Sequence, residues 1–172
     1  MFQKSQFIAI LFLLFCSGIF AQSVLDSTNY KTIGNETEDE IIKHYGKDTA
    51  RIIFEKYMLQ EHNCIRAKNN VPPLVLNEKL CQAARKYVQV CRKRNSVEHN
   101  LRGTPTYRAQ KEGYKSSFIG ENNAWNYRTL AETVSAWVNS PTHFANIKNK
   151  NFSDFGVAYY DGYWVVMFGK SP

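Results

Sequence analysis

Beyond its first 21 residues, the sequence has no apolar run approaching the roughly 20 residues that a membrane-spanning helix needs. The apolar run at residues 7–15 is shorter than a span, follows the basic Lys4 and precedes small residues up to Ala21. This order is typical of a secretory signal peptide. We therefore predict that residues 1–21 are removed, and that the mature protein is soluble, secreted and extracellular, with no transmembrane anchor.

The sequence also lacks the short motifs that mark common hydrolases. It contains no GxSxG nucleophile elbow and no HExxH zinc-protease motif. The cysteines fall on the apolar stripes of predicted helices, where burial or a disulfide explains them better than catalysis does. The sequence therefore offers no nucleophile to act with its histidines.

Cysteine is scarce, with four residues, of which Cys16 is lost with the signal peptide. Cys81 and Cys91 fall on one predicted helix, about 15 Å apart by helical rise, which is too far for a disulfide. Cys64 is left to pair with Cys81 or with Cys91, and the sequence does not choose between them. We predict one disulfide at most within the monomer.

The formal net charge is +7, and loss of Lys4 lowers it by one. Basic residues crowd the stretch 92–115. Such a patch is able to dock acidic lipid, glycan or nucleic acid, although a solvated basic loop is the simpler interpretation. Because the protein is exported, we expect no nucleic-acid partner.

Two sequons, NET at Asn35 and NFS at Asn151, predict glycosylation sites. They act only if they are exposed and the chain passes through a eukaryotic secretory pathway.

The remaining chain of about 150 residues has the size of one ordinary domain. Residues 22–47 are polar, mixed in charge and without a sustained period, which predicts a flexible N-terminal arm. We assign residues 48–172 to a single domain.

In the first two segments of this domain, apolar residues recur at helical spacing. The first predicted helix has Asp48 as its N-cap and ends at Val71-Pro72-Pro73, and Asn77 caps a second helix. Residues 92–119 show no strong period and predict a long ordered loop, a class of segment that often carries function.

Two further helices follow the stretch GENNAW at residues 120–125. Thr129 begins a T-x-x-E capping box, and Ser140 with Pro141 predicts the start of a short helix that carries His143.

The clearest strand signal lies at the C-terminus, where Asp161-Gly162 suits a two-residue type I′ hairpin turn. This turn sets Tyr160 opposite Tyr163, Tyr159 opposite Trp164, and Val157 opposite Val166. Both faces of the hairpin are then apolar, so both must be covered by helices. We predict an α+β fold, a three-layer α-β-α sandwich around a small antiparallel sheet.

Several motifs in this order resemble the CAP superfamily, which includes the cysteine-rich secretory, antigen 5 and plant pathogenesis-related 1 proteins and is also called SCP/TAPS. The resemblance covers residues 54–169, implies the same α-β-α sandwich, and is greatest to the compact CAP domains of bacteria. The motifs are His62-Asn63-x-x-Arg66, Val71-Pro72-Pro73-Leu74, Glu98-His99-Asn100, Gly120-Glu121-Asn122, Trp137 and His143-Phe144.

The resemblance implies a central cleft lined by two histidines and two acidic residues. By position these are His99, Glu121 and His143, while Ser140 stands where the second acidic residue is expected. Zinc held by His99 and His143 is one hypothesis for this cleft. A buried hydrogen-bonded network that pins the loops to the sheet is the other.

The neighbours of these residues have simpler interpretations. We expect Asn122 and Asn123 to hold a turn by bonding to the backbone, and HNxxR to lock the first helix to the following loop. The three tryptophans, Trp125, Trp137 and Trp164, are interpreted as core residues.

The resemblance implies a secreted binding protein more than an enzyme. We expect a sterol or fatty acid ligand, or an effector or defence role. The alternatives are a zinc-dependent hydrolase with Glu121 as its base, and a protein-interaction module that meets a secreted or host protein through the loop 92–119.

Overall fold

The computed structural model describes residues 30–170, so the predicted signal peptide lies outside the described part. None of the helices in that part is long and apolar enough to cross a membrane. In chain order the elements are α1 (Tyr30–Asn35), α2 (Glu38–Tyr45), α3 (Lys47–Lys68), β1 (Val75–Leu76), α4 (Glu78–Arg94), α5 (Pro105–Lys111), β2 (Ile119–Trp125), α6 (Leu130–Asn139), α7 (Pro141–Ile147), β3 (Asp154–Tyr160) and β4 (Tyr163–Gly169).

The strands form one sheet in the order β1-β3-β4-β2. The three long strands are antiparallel, and of these the sequence predicted β3 and β4. The short β1 adds a parallel edge, with Val75 opposite Asp154. The sheet is therefore mixed; the predicted small antiparallel sheet is present, and the sequence did not reveal β1 because two residues carry no readable alternation.

The β3–β4 hairpin has the predicted turn and register. Asp161 and Gly162 both have positive φ, 47° and 79°, as a type I′ turn requires. The three predicted pairs are confirmed, among them Val157 opposite Val166. Because register decides which face every side chain takes, it also places the two apolar faces correctly.

Helices cover both faces of the sheet, which confirms the predicted three-layer sandwich. Helices α1, α2, α3, α6 and α7 pack on the face that carries Val157 and Trp164. Helices α4 and α5 contribute to the cluster on the face that carries Val165 and Met167. Gly156 lets α4 approach β3 closely, since a Cβ there would lie 2.3 Å from the backbone carbonyl carbon of Leu80.

The described part of the predicted N-terminal arm is folded. Thr37 and Glu40 form a capping box at the start of α2, and Ile33 and Ile41 are buried in the core. Glu38 is also buried and accepts a hydrogen bond from Nε1 of Trp164 at 3.1 Å. The apolar residues of this segment are too few for a sustained period, so the capping box was its only strong local signal.

Helix α3 continues this helical segment, with Gly46 at its N-cap position. Asp48, the predicted N-cap, lies instead in the first turn of the helix. Helix α4 begins as predicted, because the Asn77 side chain accepts from the backbone N–H of Lys79 at 3.1 Å.

The predicted loop at residues 92–119 contains helix α5. Thr104 caps it by accepting from the backbone N–H of Tyr107, and Pro105 occupies its first turn. This N-cap and proline pair is a known helix-start signal, but the helix is too short to show a period.

The predicted disulfide is absent, because Cys64, Cys81 and Cys91 form no bridge with one another in the described chain. Cys91 is packed on the α4 side of the sheet, whereas Cys64 lies on α3 on the opposite side. Burial raises the pKa of both the Cys81 and Cys91 thiols to about 11, so both stay protonated near neutral pH.

Candidate functional site

The stretch GENNAW forms strand β2 rather than the predicted turn. Glu121 and Asn123 pair with Met167 and Val165 of β4, so their side chains lie on the α4 face. Asn122 points to the opposite face, where its Nδ2 donates to the carbonyl of His143 at 3.0 Å. The polar residues of β2 therefore reach loops on both sides of the sheet edge.

Glu121 is the centre of the site, and its side chain is almost fully buried, with 1% exposed. One carboxylate oxygen, Oε2, forms an ion pair with Nη2 of Arg108. The other, Oε1, lies 2.8 Å from Nδ1 of His99 and accepts from Nδ2 of Asn123 at 3.0 Å. A buried charge needs such partners to offset its lost hydration.

Arg108 was not identified from the sequence as a site residue, although it bonds both to Glu121 and to the backbone of the segment that carries His99. It lies on α5 with its guanidinium carbon 3.3 Å from the centroid of the Tyr87 ring. Its Nη1 donates to the carbonyls of His99, at 2.8 Å, and of Gly103. Arg108 thus links Glu121 to the backbone at His99 and Gly103, in the segment between α4 and α5. The Thr104-Pro105 helix start was the signal that would have placed it on an ordered element.

The His99 side chain is about half exposed, with 48% of its surface accessible. Its hydrogen bond to Glu121 raises the pKa of the imidazole above its usual 6.5, against the opposing effects of burial and of Arg108. Because the carboxylate accepts at Nδ1, that nitrogen carries the proton. Nε2 is then the nitrogen left for a ligand.

His143 lies at the beginning of α7 and is partly buried. Burial lowers the pKa of its imidazole, and the nearby charge of His99 lowers it further. The protonated form of His143 is therefore disfavoured by both effects, and a ligand shared with His99 stays a prediction. Asn146 anchors α7 to β2 by donating to the side-chain oxygen of Asn122 at 2.8 Å.

Ser140, which replaces the second acidic residue, occupies the N-cap position of α7 without making a side-chain capping bond. Its hydroxyl lies 3.4 Å from that of Thr142. Within the described residues, no contact links the Ser140 side chain to Glu121 or His99.

The arrangement does not fit a zinc site in which Glu121 is a ligand. Both its oxygens are engaged, and the Arg108 guanidinium already supplies the neighbouring positive charge. The described residues contain no group of three His, Cys, Asp or Glu side chains placed to hold a metal ion. Zinc held by His99 and His143 stays a prediction, with Glu121 orienting His99 from behind.

The HNxxR motif forms the expected tertiary lock. Asn63 exchanges two hydrogen bonds with the backbone of Leu74, at 3.0 and 2.7 Å. Arg66 is completely buried and donates to four carbonyls, those of Pro72, Ile147, Asn149 and Phe152. The motif thus fixes α3 to the segments that hold α7 and β3.

Two of the three tryptophans are buried as predicted, and the third is exposed. Trp137 and Trp164 are buried, as expected, at 1% and 0% exposure. Trp125 is 49% exposed, so its assignment to the core was wrong. It lies at the last position of β2, where its ring stacks on Tyr163.

A bacterial protein of known sequence is similar to this chain. The uncharacterized protein YkwD of Bacillus subtilis is 36% identical over 111 residues, which cover 62% of this chain and 42% of YkwD. This chain therefore matches less than half the length of that relative.

Solved structures share the fold. An extracellular SCP-domain protein of Bacillus anthracis superposes with a TM-score of 0.69 at 23% identity, over 72% of this chain and 42% of the other. An outer surface protein of Borrelia burgdorferi has a TM-score of 0.63 at 28% identity, over 68% of this chain and 92% of the other.

The family profile described as CAP, cysteine-rich secretory protein family, matches residues 59–168. This match runs from α3 to β4 and includes His99, Arg108, Glu121, Ser140 and His143. The chain belongs to the CAP family.

Proposed function

We propose that this chain is a secreted, non-enzymatic binding protein whose cleft takes the acidic head group of an amphipathic ligand such as a fatty acid. The supporting observation is that both carboxylate oxygens of Glu121 are engaged, one by Arg108 and the other by His99. The carboxylate is thereby committed to holding the site together. The accessible group is the His99 imidazole, which carries positive charge when protonated.

The same geometry gives less support to a hydrolase. A general base must reach the proton that it removes, and the Glu121 side chain is buried behind His99 and Arg108. Among the described residues, Nδ1 of His99 donates to Glu121 and lies 3.3 Å from Nδ2 of Asn123, and the ring bonds to no serine, threonine or cysteine side chain that would act as a nucleophile. The description of two relatives as extracellular or outer surface proteins supports export.

Two buried polar atoms in the cleft also favour a bound group. Asn123 Oδ1 and Arg108 Nε have no hydrogen-bond partner among the described residues. Buried polar atoms are normally satisfied. A carboxylate head group would supply an acceptor for Arg108 Nε, whereas Asn123 Oδ1 needs a donor such as an ordered water.

The proposal is tested by equilibrium binding of a labelled fatty acid and a labelled sterol to the secreted protein, with and without chelator. We expect saturable fatty acid binding that weakens as the pH rises through the raised pKa of His99, because the imidazole then loses its positive charge. His99→Gln should weaken binding, while His44→Gln, at an exposed position on α2, should not.

The outcomes separate the alternatives. Binding that strengthens with pH and disappears with chelator would instead indicate zinc, since protons compete with metal for imidazole. A zinc-dependent turnover abolished by Glu121→Gln would establish the hydrolase. If neither lipid binds and no turnover is found, the proposal fails, and a protein partner of the exposed residues 92–94 becomes the next hypothesis.

A further inference from the structure

An aromatic row crosses the sheet at its hairpin end. Trp125, Tyr163 and Tyr160 lie directly opposite one another on β2, β4 and β3, so their side chains share the α4 face. Trp125 stacks on Tyr163 with ring centroids 5.8 Å apart and an interplanar angle of 20°. Trp125 and Tyr160, at the two ends of the row, are 49% and 50% exposed.

The row is held rigidly. The buried Tyr163 donates its hydroxyl to Asn95 at 2.6 Å, and Asn95 is the left-handed cap that ends α4. Arg92, in the last turn of α4, forms an ion pair with Asp161 of the hairpin turn. The sheet and the end of α4 thus fix the aromatic rings and the polar groups beside them.

The segments that adjoin the row, the end of α4 and the residues after β2, carry an excess of basic side chains. Arg92, Lys93 and Arg94 end α4 within one helical turn of Asn95, and Arg128 follows Trp125 closely in the chain. The acidic side chains nearby on the same segments are Glu98 and Asp161, of which Asp161 is paired with Arg92. In the described chain, Lys93 and Arg94 take part in none of the ion pairs, so their charges are available to an acidic partner.

The length of the aromatic row limits the area of surface that a partner can contact. Neighbouring strands lie about 4.8 Å apart, so three strands give a row about 10 Å long. A stable protein interface buries about 800 Å² on each partner, which three side chains do not supply. Flat rings with a rim of amide, carboxylate and guanidinium groups fit the apolar faces and hydroxyls of sugars, and the excess of positive charge favours sugars that carry acidic groups.

We propose that Trp125 and Tyr160, the two exposed ends of a row whose centre is the buried Tyr163, form a platform that binds an acidic oligosaccharide. The platform is distinct from the cleft, because Trp125 lies four residues along β2 from Glu121, about 13 Å at the rise of an extended strand. It does not depend on the ligand proposed for His99.

The experiment is a titration of the full secreted protein with oligogalacturonate, a heparin octasaccharide and the neutral maltohexaose at about 150 mM salt, where surface charges are partly screened. Tryptophan fluorescence provides the readout, since Trp125 is exposed while Trp137 and Trp164 are buried. We expect saturable binding of at least one acidic sugar and weaker binding of maltohexaose. Trp125→Ala should weaken binding measured by calorimetry about ten-fold, the scale of one lost aromatic contact.

Control variants keep the test decisive. Tyr160→Ala should also weaken binding, and Lys93→Glu with Arg94→Glu should weaken it for acidic sugars only. Tyr107→Ala removes an aromatic ring of similar exposure, 48%, from α5 and should leave binding unchanged. His99→Gln should leave it unchanged as well, which separates this site from the cleft.

The opposite results overturn the proposal. They are the absence of saturable binding to both acidic sugars, or equal binding by the Trp125→Ala and Tyr107→Ala variants when both retain the wild-type melting temperature. Binding to phosphatidylglycerol vesicles that needs Trp125, without sugar binding, would show a membrane contact and also reject the platform.

Discussion

The Glu121 carboxylate and the Arg108 guanidinium form a buried ion pair, with side chains only 1% and 8% exposed. Removing one member of such a pair leaves the other charge buried without its partner, which costs about 3–5 kcal/mol. We predict this loss of unfolding free energy for Arg108→Met, measured by urea denaturation. Arg102→Met, at an exposed position in the same segment, should change it little.

A double-mutant cycle with Glu121→Gln tests whether the two residues act as a pair. The double variant should be clearly more stable than the sum of the single losses predicts, because neither charge is then left alone. Additive losses would show that Arg108 stabilises the protein through its contacts with the loop carbonyls and Tyr87 alone.

The protonation of His99 should follow Glu121. The hydrogen bond to Glu121 raises the folded-state pKa of His99, so the stability it contributes is fully present below 6.5 and is lost as the pH rises through the higher folded value. An NMR titration of the imidazole carbon protons should show this raised pKa. In Glu121→Gln the pKa should fall, and an unchanged value would exclude the carboxylate as its cause.

Much of the sandwich could be predicted because its signals are local. The Asp161-Gly162 turn sets the hairpin register, and that register places Val157 and Trp164 on one apolar face. The two covered faces then follow from burial alone. The same reasoning missed α1, α2 and α5, whose short lengths show no helical period, although Thr37 and Thr104 supply caps.

The site could be predicted in part. The resemblance predicted His99, Glu121 and His143 as one site, and the structure joins His99 to Glu121 by a hydrogen bond, while a shared role of His143 stays a prediction. Arg108 was missed because its role depends on a long-range contact with Glu121, which no spacing along the chain reveals. The zinc hypothesis took Glu121 for a free carboxylate for the same reason.

His62 should make the protein sensitive to acid. The ring is fully buried among Trp137, Phe155 and Phe168, and this burial lowers its pKa from 6.5 to about 4. Because the unfolded state binds the proton more tightly, stability is lost as the pH falls from 6.5 towards 4, by about 3 kcal/mol.

Replacing the ring identifies this effect. In His62→Phe the acid-dependent loss of unfolding free energy over that range should shrink by a similar amount, as measured by urea denaturation at several pH values. His44→Phe, at an exposed position on α2, serves as the control. If wild type and His62→Phe lose stability in parallel, the buried imidazole is not the acid-sensitive group.

Glu38 should act in the opposite direction on the docking of α2. Burial raises the pKa of this carboxyl from 4.5 to about 7, although the hydrogen bond from Trp164 opposes the shift. The folded state therefore binds the proton more tightly, and stability contributed by the protonated form is lost as the pH rises from 4.5 to about 7.

Glu38→Gln keeps a carbonyl acceptor for Trp164 without the charge, so it should be more stable than wild type above that range and similar to it at the lower end. Glu36→Gln, at a partly exposed position before α2, should show no such divergence. Hydrogen exchange of the α2 amides provides a local readout, since a charged Glu38 should speed the exchange of α2 more than that of α4. Equal exchange in wild type and Glu38→Gln in mildly alkaline buffer would mean that α2 is held by its apolar residues, Ile41 with Ile42 and Tyr45, with no contribution from the state of the carboxyl.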